Sequence, residues 1–570
     1  MKRPFFALPD RVGWRDHAIG ATLGLAYLVW LLVTARSLGF PRDEGVYFHA
    51  GTEYARWWRS IFERGAEAFR QGPIDAAFSA NHEHPPLMKT LFGLSGWLFH
   101  DKWHVFADAS TAMRLPGMAT AALAIWVTYL FGARAWSRRA GLVAAALFGL
   151  MPNVFFHSHL ACFDVPITAM WILCVYTYWR ATETPSFGRI LAVGVVFGLA
   201  LATKLNAWEL PFVFVPHALF TQRHAIWRGL RAGRVAIPGT LVSMAVVGPV
   251  VLLALWPYLW NDTFGRLQWW VEFHLHHDFY NIEFLGRNYF SAPSPRSYLP
   301  VMIVATVPTV TLLLFLVGAM DRLAVAFRRV RAWLAALLRR PSLAGAGAPP
   351  ERDPRETDLV LALAFFAALA PFLLSTNTPI FGGTKHWMPA YPLLALFAGR
   401  GLDLVAAAMG RALPALDRRR KLAAEALLVA CVTFGPLAIT AHSHPFGLSA
   451  YVPLIGGTAG GADFGLNRQF WGYTTQNAAE EYLNPTAPRG ATVFIHDTTW
   501  DAWARMQEEG RVRGDLRAVG TPGEASFALV QHELHMNEVD YSIWVADGTD
   551  APAYIVEHDG VPIVSVYRRP

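Results

Sequence analysis

Apolar residues along this chain fall in blocks of about 20, the length a helix needs to cross a bilayer. Short polar stretches rich in arginine separate the blocks. The pattern predicts about eleven spanning helices, near 17–36, 114–135, 140–157, 164–181, 188–205, 208–221, 235–256, 299–320, 358–376, 387–409 and 422–440. Pro85 to Phe99 is apolar too. Counting it as a span would place the Arg134, Arg138, Arg139 cluster on the wrong side, so it is read as a short juxtamembrane or re-entrant helix, which is allowed where protein buries it. After 441 the pattern turns polar and shorter in period. Ala491–Asp497, Phe527–Gln531 and Tyr541–Ala546 read as strands. Trp500–Glu509 reads as a helix. Ala553–Glu557 and Pro562–Tyr567 flank His558-Asp559-Gly560, whose Asp-Gly predicts a tight hairpin.

The expected fold class is therefore a polytopic α-helical membrane protein carrying a small C-terminal α/β domain. Residues 1–440 form the transmembrane domain, with outer loops at 37–113 and 257–298, and residues 441–570 form the soluble domain. The 321–357 loop begins with Arg328, Arg329 and Arg331 among apolar residues, which suits a membrane surface, and ends in a stretch resembling a linker.

Charge sets the orientation. With the N-terminus inside, every connection rich in Lys and Arg falls on the cytoplasmic side, from Arg134–Arg139 to Arg418–Lys421. This is the positive-inside bias. It places the C-terminal domain outside, while the Arg- and Ala-rich composition and the lack of a long Asn/Ser-rich glycosylated loop point to a bacterial inner membrane. The net charge of +7 is explained by these helix-end clusters, with no basic stripe on a polar domain, so nucleic acid is not an expected partner. Charged residues make up 16 % of the chain and hydrophobic ones 54 %; the mean hydropathy is +0.29. Cys162, Cys174 and Cys431 have no metal-ligand spacing and suggest neither a disulfide framework nor a zinc site.

Candidate chemistry gathers at the outer helix ends. Asp43 and Glu44 follow the first span. Glu83, His84 and Lys89 close the first loop. His157, His159 and Asp164 lie between the third and fourth spans. Lys204 and Asn206 end the fifth span, and Lys385 and His386 open the tenth. Each alone has a plainer reading as a solvated pair, a helix cap or a snorkelling lysine. Their placement on one aqueous boundary favours a shared task, because ionisable groups near a bilayer are costly without one. A carboxylate can take the proton of an acceptor hydroxyl. Cations can hold a departing phosphate, and the membrane position points to a lipid phosphate.

Asp43-Glu44, His84-Pro85-Pro86-Leu87, Asp164-Val165-Pro166, Thr203-Lys204 and Gly383-Thr384-Lys385-His386-Trp387-Met388-Pro389 occur in an order similar to one known group. Over about residues 17–440 the chain resembles the dolichyl-phosphate-mannose–protein mannosyltransferases and aminoarabinose transferases, family 39-type enzymes with the GT-C fold. The resemblance implies inverting transfer of a sugar from a polyprenyl-phosphate donor to a hydroxyl of a lipid, glycan or protein acceptor. By that resemblance Asp43 matches the base and Glu44 its neighbour. Glu83 and Asp164 match further cavity acids, and Lys204, Lys385 and His386 fall where donor phosphate is held. His84, Lys89 and Asn206 are expected substrate contacts beside them. No cofactor is required, although Glu83 with His82, His84 or His276-His277 offers the ligand types of a divalent site. The alternatives are a glycan ligase using a lipid-pyrophosphate donor and a transporter of lipid-linked sugar or solute; a transporter predicts inverted repeats, which the sequence does not show.

Overall fold

A computed structural model describes residues 12–338 and 356–570, apart from 236, 381, 415, 534 and 535. Lys2, Arg3, Arg11, Arg339, Arg340 and the expected linker lie outside the described residues.

The chain is mostly helical. A helix, whole or broken, lies on each of the eleven apolar stretches. Six of the described helices are long and apolar enough to cross a membrane: Trp14–Ser37, Ala109–Ala135, Thr309–Arg331, Thr357–Leu374, Gly383–Ala412 and Arg418–Ser443. Arg138–Gly149 and Pro152–Ser158 would make a seventh as one span, but they meet at 72°. Pro152 stands at the first position of the second piece, where it starts a helix but cannot continue one. Phe187–Leu201 and Gly239–Leu255 are apolar but shorter. The chain is an integral membrane protein.

Arginines at one end of this bundle bind acids on neighbouring helices. Arg138 meets Asp16 at 2.6 Å, and Arg139 meets Asp403 and Glu425, both at 2.8 Å. Arg134 meets Glu183 at 2.7 Å, and Arg400 meets Asp321 at 3.1 Å. The clusters read from sequence as orientation signals thus also tie helix ends together.

The first long loop is itself helical, with Arg42–Arg64, Gln71–Phe78 and Leu87–Ser95. A Cβ on Gly93 would lie 1.8 Å from the Gly51 carbonyl oxygen. Only glycine lets the Leu87–Ser95 and Arg42–Arg64 helices approach this closely, and the second of these begins at the candidate site.

Near the C-terminus a five-stranded mixed sheet runs in the order Arg517–Val519, Thr492–Ile495, Phe527–Gln531, Val561–Arg568, Tyr554–His558. The first three strands are parallel and the last two antiparallel to their neighbours. Trp500–Glu508 is helical as expected, but Tyr541–Ala546 is not a strand; it lies in the Asn537–Asp547 helix. Val539 and Ile543, four residues apart, pack on Ala528, Val530 and Tyr567, so the helical period determines the outcome rather than the local alternation. One apolar cluster joins Leu38, Phe40, Tyr47 and Phe163 to Trp471, Trp503, Leu529 and Val566. The core of the C-terminal region is therefore continuous with the first loop and the start of the Asp164–Glu183 helix.

Candidate active site

The Arg42–Arg64 helix starts after Pro41 and carries Asp43 and Glu44 in its first turn, where the helix dipole favours acids. The two acids face different surroundings. Asp43 keeps 28 % of its side chain exposed and has Lys385 Nζ 3.6 Å from Oδ2. Glu44 is fully buried against Arg114. Arg114 Nε and Nη2 donate to the two Glu44 oxygens at 2.7 and 2.6 Å, and the Ala161 N–H adds 2.8 Å to Oε1. Arg114 gives its remaining donors to the carbonyls of Ala35, Leu38 and Gly39 at 3.1, 3.1 and 2.7 Å. All five guanidinium donors are used. Glu44, read from the sequence beside Asp43 as a catalytic candidate, is instead engaged by Arg114 and the Ala161 N–H. Glu44 anchors the turn that presents Asp43, and its carboxylate is closed to solvent.

Asp164 opens its helix nearly buried, with Lys204 Nζ 2.6 Å from Oδ1 and His157 Nδ1 3.8 Å from Oδ2. The charges of Lys204 and Lys385 both act on Asp164 and on His157. Asn206 Nδ2 donates to the His386 carbonyl at 3.4 Å and joins the two lysine-bearing segments, which lie 180 residues apart. His84 is packed among Tyr47, Phe163 and His274. Burial, with the charges of Lys89, Lys204, His274 and Lys385, holds its imidazole well below the usual range and therefore neutral.

Lys89 has a different part from the expected one. Its ammonium donates to the Asn81 carbonyl, to Asn81 Oδ1 at 3.1 Å and to the His84 carbonyl at 3.0 Å, which uses all three donors. Burial pushes it down to about 7, against the pull of Glu83. Lys89 therefore shapes the 81–84 turn and has no donor left for a substrate. Glu83 accepts from the Asn81 amide, and its carbonyl accepts from Trp270 Nε1 at 2.9 Å. Among the described residues Glu83 forms no three-ligand group with His82, His84, His276 or His277.

The C-terminal region adds residues that sequence reasoning did not single out. Lys385 Nζ lies 3.8 Å from the centre of the Trp471 ring, a cation–π distance. The Arg42 backbone N–H donates to the Trp471 carbonyl at 2.8 Å, and Arg42 Nη1 donates to Asp497 Oδ1 at 2.9 Å. Burial pushes Asp497 up to about 6; Arg42 pulls it down, and the charge of Asp43 adds to the rise. Glu533 lies behind, raised well above its usual range by burial and by Asp497. Asp497 sits just past the C-terminal end of the Thr492–Ile495 strand, a place where α/β sheets present functional groups, and that signal was available in the sequence. Nothing local marks Trp471.

Against this geometry, residues 84–253 match the family described as dolichyl-phosphate-mannose-protein mannosyltransferase. The chain resembles that family. The matched stretch holds His84, Asp164 and Lys204, three of the residues that meet here. The ArnT structure from Cupriavidus metallidurans bound to undecaprenyl phosphate is similar at 16 % identity, with a TM-score of 0.43, over 97 % of this chain and 98 % of that one. The same protein in the apo state gives a TM-score of 0.46 at 16 % identity over the same shares. The oligosaccharyltransferase AglB from Archaeoglobus fulgidus, in complex with an inhibitory peptide and a dolichol-phosphate, gives 0.46 at 12 % identity over 94 % and 71 %. A comparison with curated proteins gives no match.

Proposed function

We propose that this chain is an inverting glycosyltransferase that moves a sugar from a polyprenyl-phosphate donor to an acceptor hydroxyl at the outer face of a bacterial inner membrane. One observation carries the reading. Two acid–lysine pairs drawn from four distant stretches, Asp43 with Lys385 and Asp164 with Lys204, lie near enough for the charge of Lys385 to act on Asp164 as well. The match of residues 84–253 to the mannosyltransferase family supports it.

The acceptor oxygen attacks the anomeric carbon as the bond from that carbon to the phosphate oxygen breaks. Asp43, the more exposed acid, takes the hydroxyl proton. Lys204 and Lys385 hold the phosphate as it gains charge, exchanging part of their pairing with Asp164 and Asp43 for it. His386 and Asn206 border the same place. Transfer of this kind needs no metal. Asp43→Asn should lower transfer by about 10²–10⁴-fold while donor binding and folding persist. Near-normal turnover of the purified variant would remove Asp43 from the role of base.

In this reading about eleven spans, GT-C-like in arrangement, form a catalytic domain over 1–440 with its N-terminus cytoplasmic. Residues 441–570 form an α/β region outside. The arginine clusters at one helix end support this orientation. A reporter fused at residue 450 should report the outer compartment; a cytoplasmic signal there would overturn both the orientation and the outer-face site.

A further inference from the structure

We infer that His442, His558 and Asp559 form a binding site for a divalent transition-metal cation of the zinc type, which fastens the C-terminal sheet to the end of the last long apolar helix. The site shares no residue with the acid–lysine network and does not depend on the function proposed for it.

His442 lies in the last turn of the Arg418–Ser443 helix. His558 and Asp559 come from the hairpin between Tyr554–His558 and Val561–Arg568. Asp559 and Gly560 have φ of +52° and +73°, the left-handed pair of a two-residue hairpin turn. That turn carries the Asp559 carboxylate to the helix end. His442 Nε2 lies 2.8 Å from Asp559 Oδ1, and His558 Nε2 lies 3.7 Å from Oδ2. One donor atom from each residue falls within 4.8 Å of the others. Bonds of about 2.0–2.1 Å around a tetrahedral zinc put neighbouring donors roughly 3.3 Å apart, so small side-chain shifts bring three donors that already lie within 4.8 Å of one another onto one ion.

A hydrogen-bonded His442–Asp559 pair explains only part of this arrangement. His558 Nε2 converges on the same point but lies too far from the carboxylate for a hydrogen bond. Its ring is nearly buried and fixed by Phe446, with centroids 5.1 Å apart. Thr458 Oγ1 donates to Asp559 Oδ2 at 3.2 Å and orients the carboxylate, as outer partners of metal ligands do. His442 is two-thirds exposed, which leaves an open approach for the cation and for water as a fourth ligand. The ion replaces the proton between His442 and Asp559, so both histidines must present Nε2 lone pairs.

The test uses the full chain purified in detergent, stripped with a chelator and titrated with Zn²⁺ against a chromophoric competitor. One equivalent should bind, and His442→Ala and His558→Ala should each weaken it at least tenfold. Zn²⁺ should also raise the melting temperature of the wild type but not of either variant. The double variant His82→Ala, His84→Ala should keep the wild-type affinity. Absence of stoichiometric binding, weakening of less than tenfold in either single variant, or loss in the double variant would overturn the site. Because His442 is exposed at a helix end, its removal leaves the fold intact and the result interpretable.

Discussion

At the scale of single residues, charge type was legible in the sequence, but partner and burial were not. Asp43 and Glu44 are adjacent and chemically alike, yet a helix turns successive side chains by about 100°, so one meets Lys385 and the other Arg114. Lys204 reads as a phosphate contact and Lys89 as a substrate contact beside it. Lys89 is consumed by three acceptors of its own turn, whereas Lys204 holds an acid of another helix. The neighbours that decide these outcomes are far away in the chain. Asp497 offers a test at this scale. Folded, it keeps its proton up to about pH 6, whereas an unfolded aspartate gives it up near 4. The native state therefore binds more protons between pH 4 and 6, and stability falls as pH rises through that window. Asp497→Asn lacks this loss. Its melting temperature, relative to wild type, should rise from pH 4.5 to 7.5 by the equivalent of about 1–3 kcal/mol. The opposite trend would mean that the 2.9 Å bond from Arg42 outweighs burial.

At the scale of elements, the long apolar blocks and the Asp-Gly hairpin fall where the pattern places them, because hydrophobic period and turn chemistry are local. Tyr541–Ala546 is a mainly apolar run of six residues, too short for its period to tell strand from helix, and packing on the sheet makes it a helix. The approach of the Leu87–Ser95 helix to the Arg42–Arg64 helix was also invisible, since Gly51 and Gly93 meet only in space. Gly93→Ala should force the two helices apart, at a cost of about 1–3 kcal/mol in thermal unfolding. It should also lower turnover if the displaced helix carries the base, as proposed for Asp43. Gly72→Ala, with open space around its added carbon, should stay within about 0.5 kcal/mol of wild type. Equal behaviour of the two variants would mean the crossing is not tight.

At the scale of the whole molecule, the C-terminal region is fastened to the first loop by more than apolar packing. Arg511 donates to the carbonyls of Arg36 and Leu38 at 2.9 and 3.4 Å, to Gln476 Oε1 at 2.7 Å and to Ser110 Oγ at 3.1 Å. The guanidinium groups of Arg114 and Arg511 both lie within cation–π reach of Phe40, 4.9 and 4.7 Å from its ring centre. Truncation at 441 would strip these partners from the turn before Asp43 and expose the shared core. The 1–440 fragment should therefore be inactive and elute as aggregate in size-exclusion chromatography. A monodisperse, active fragment would show that the C-terminal region is dispensable to the site.

The sequence by itself determined the membrane class, the positions of the apolar helices, the polar C-terminal region and the residue types from which a lipid-phosphate site could be made. These follow from composition and periodicity, which act over a few turns of chain. Tertiary structure decided which of those residues meet. It sealed Glu44 and Lys89, paired Lys204 with Asp164 and Lys385 with Asp43, and brought Trp471 and Asp497 from beyond residue 441 to the start of the Arg42–Arg64 helix. Ion pairs and cation–π contacts act over a few ångströms in space, whatever the distance along the chain.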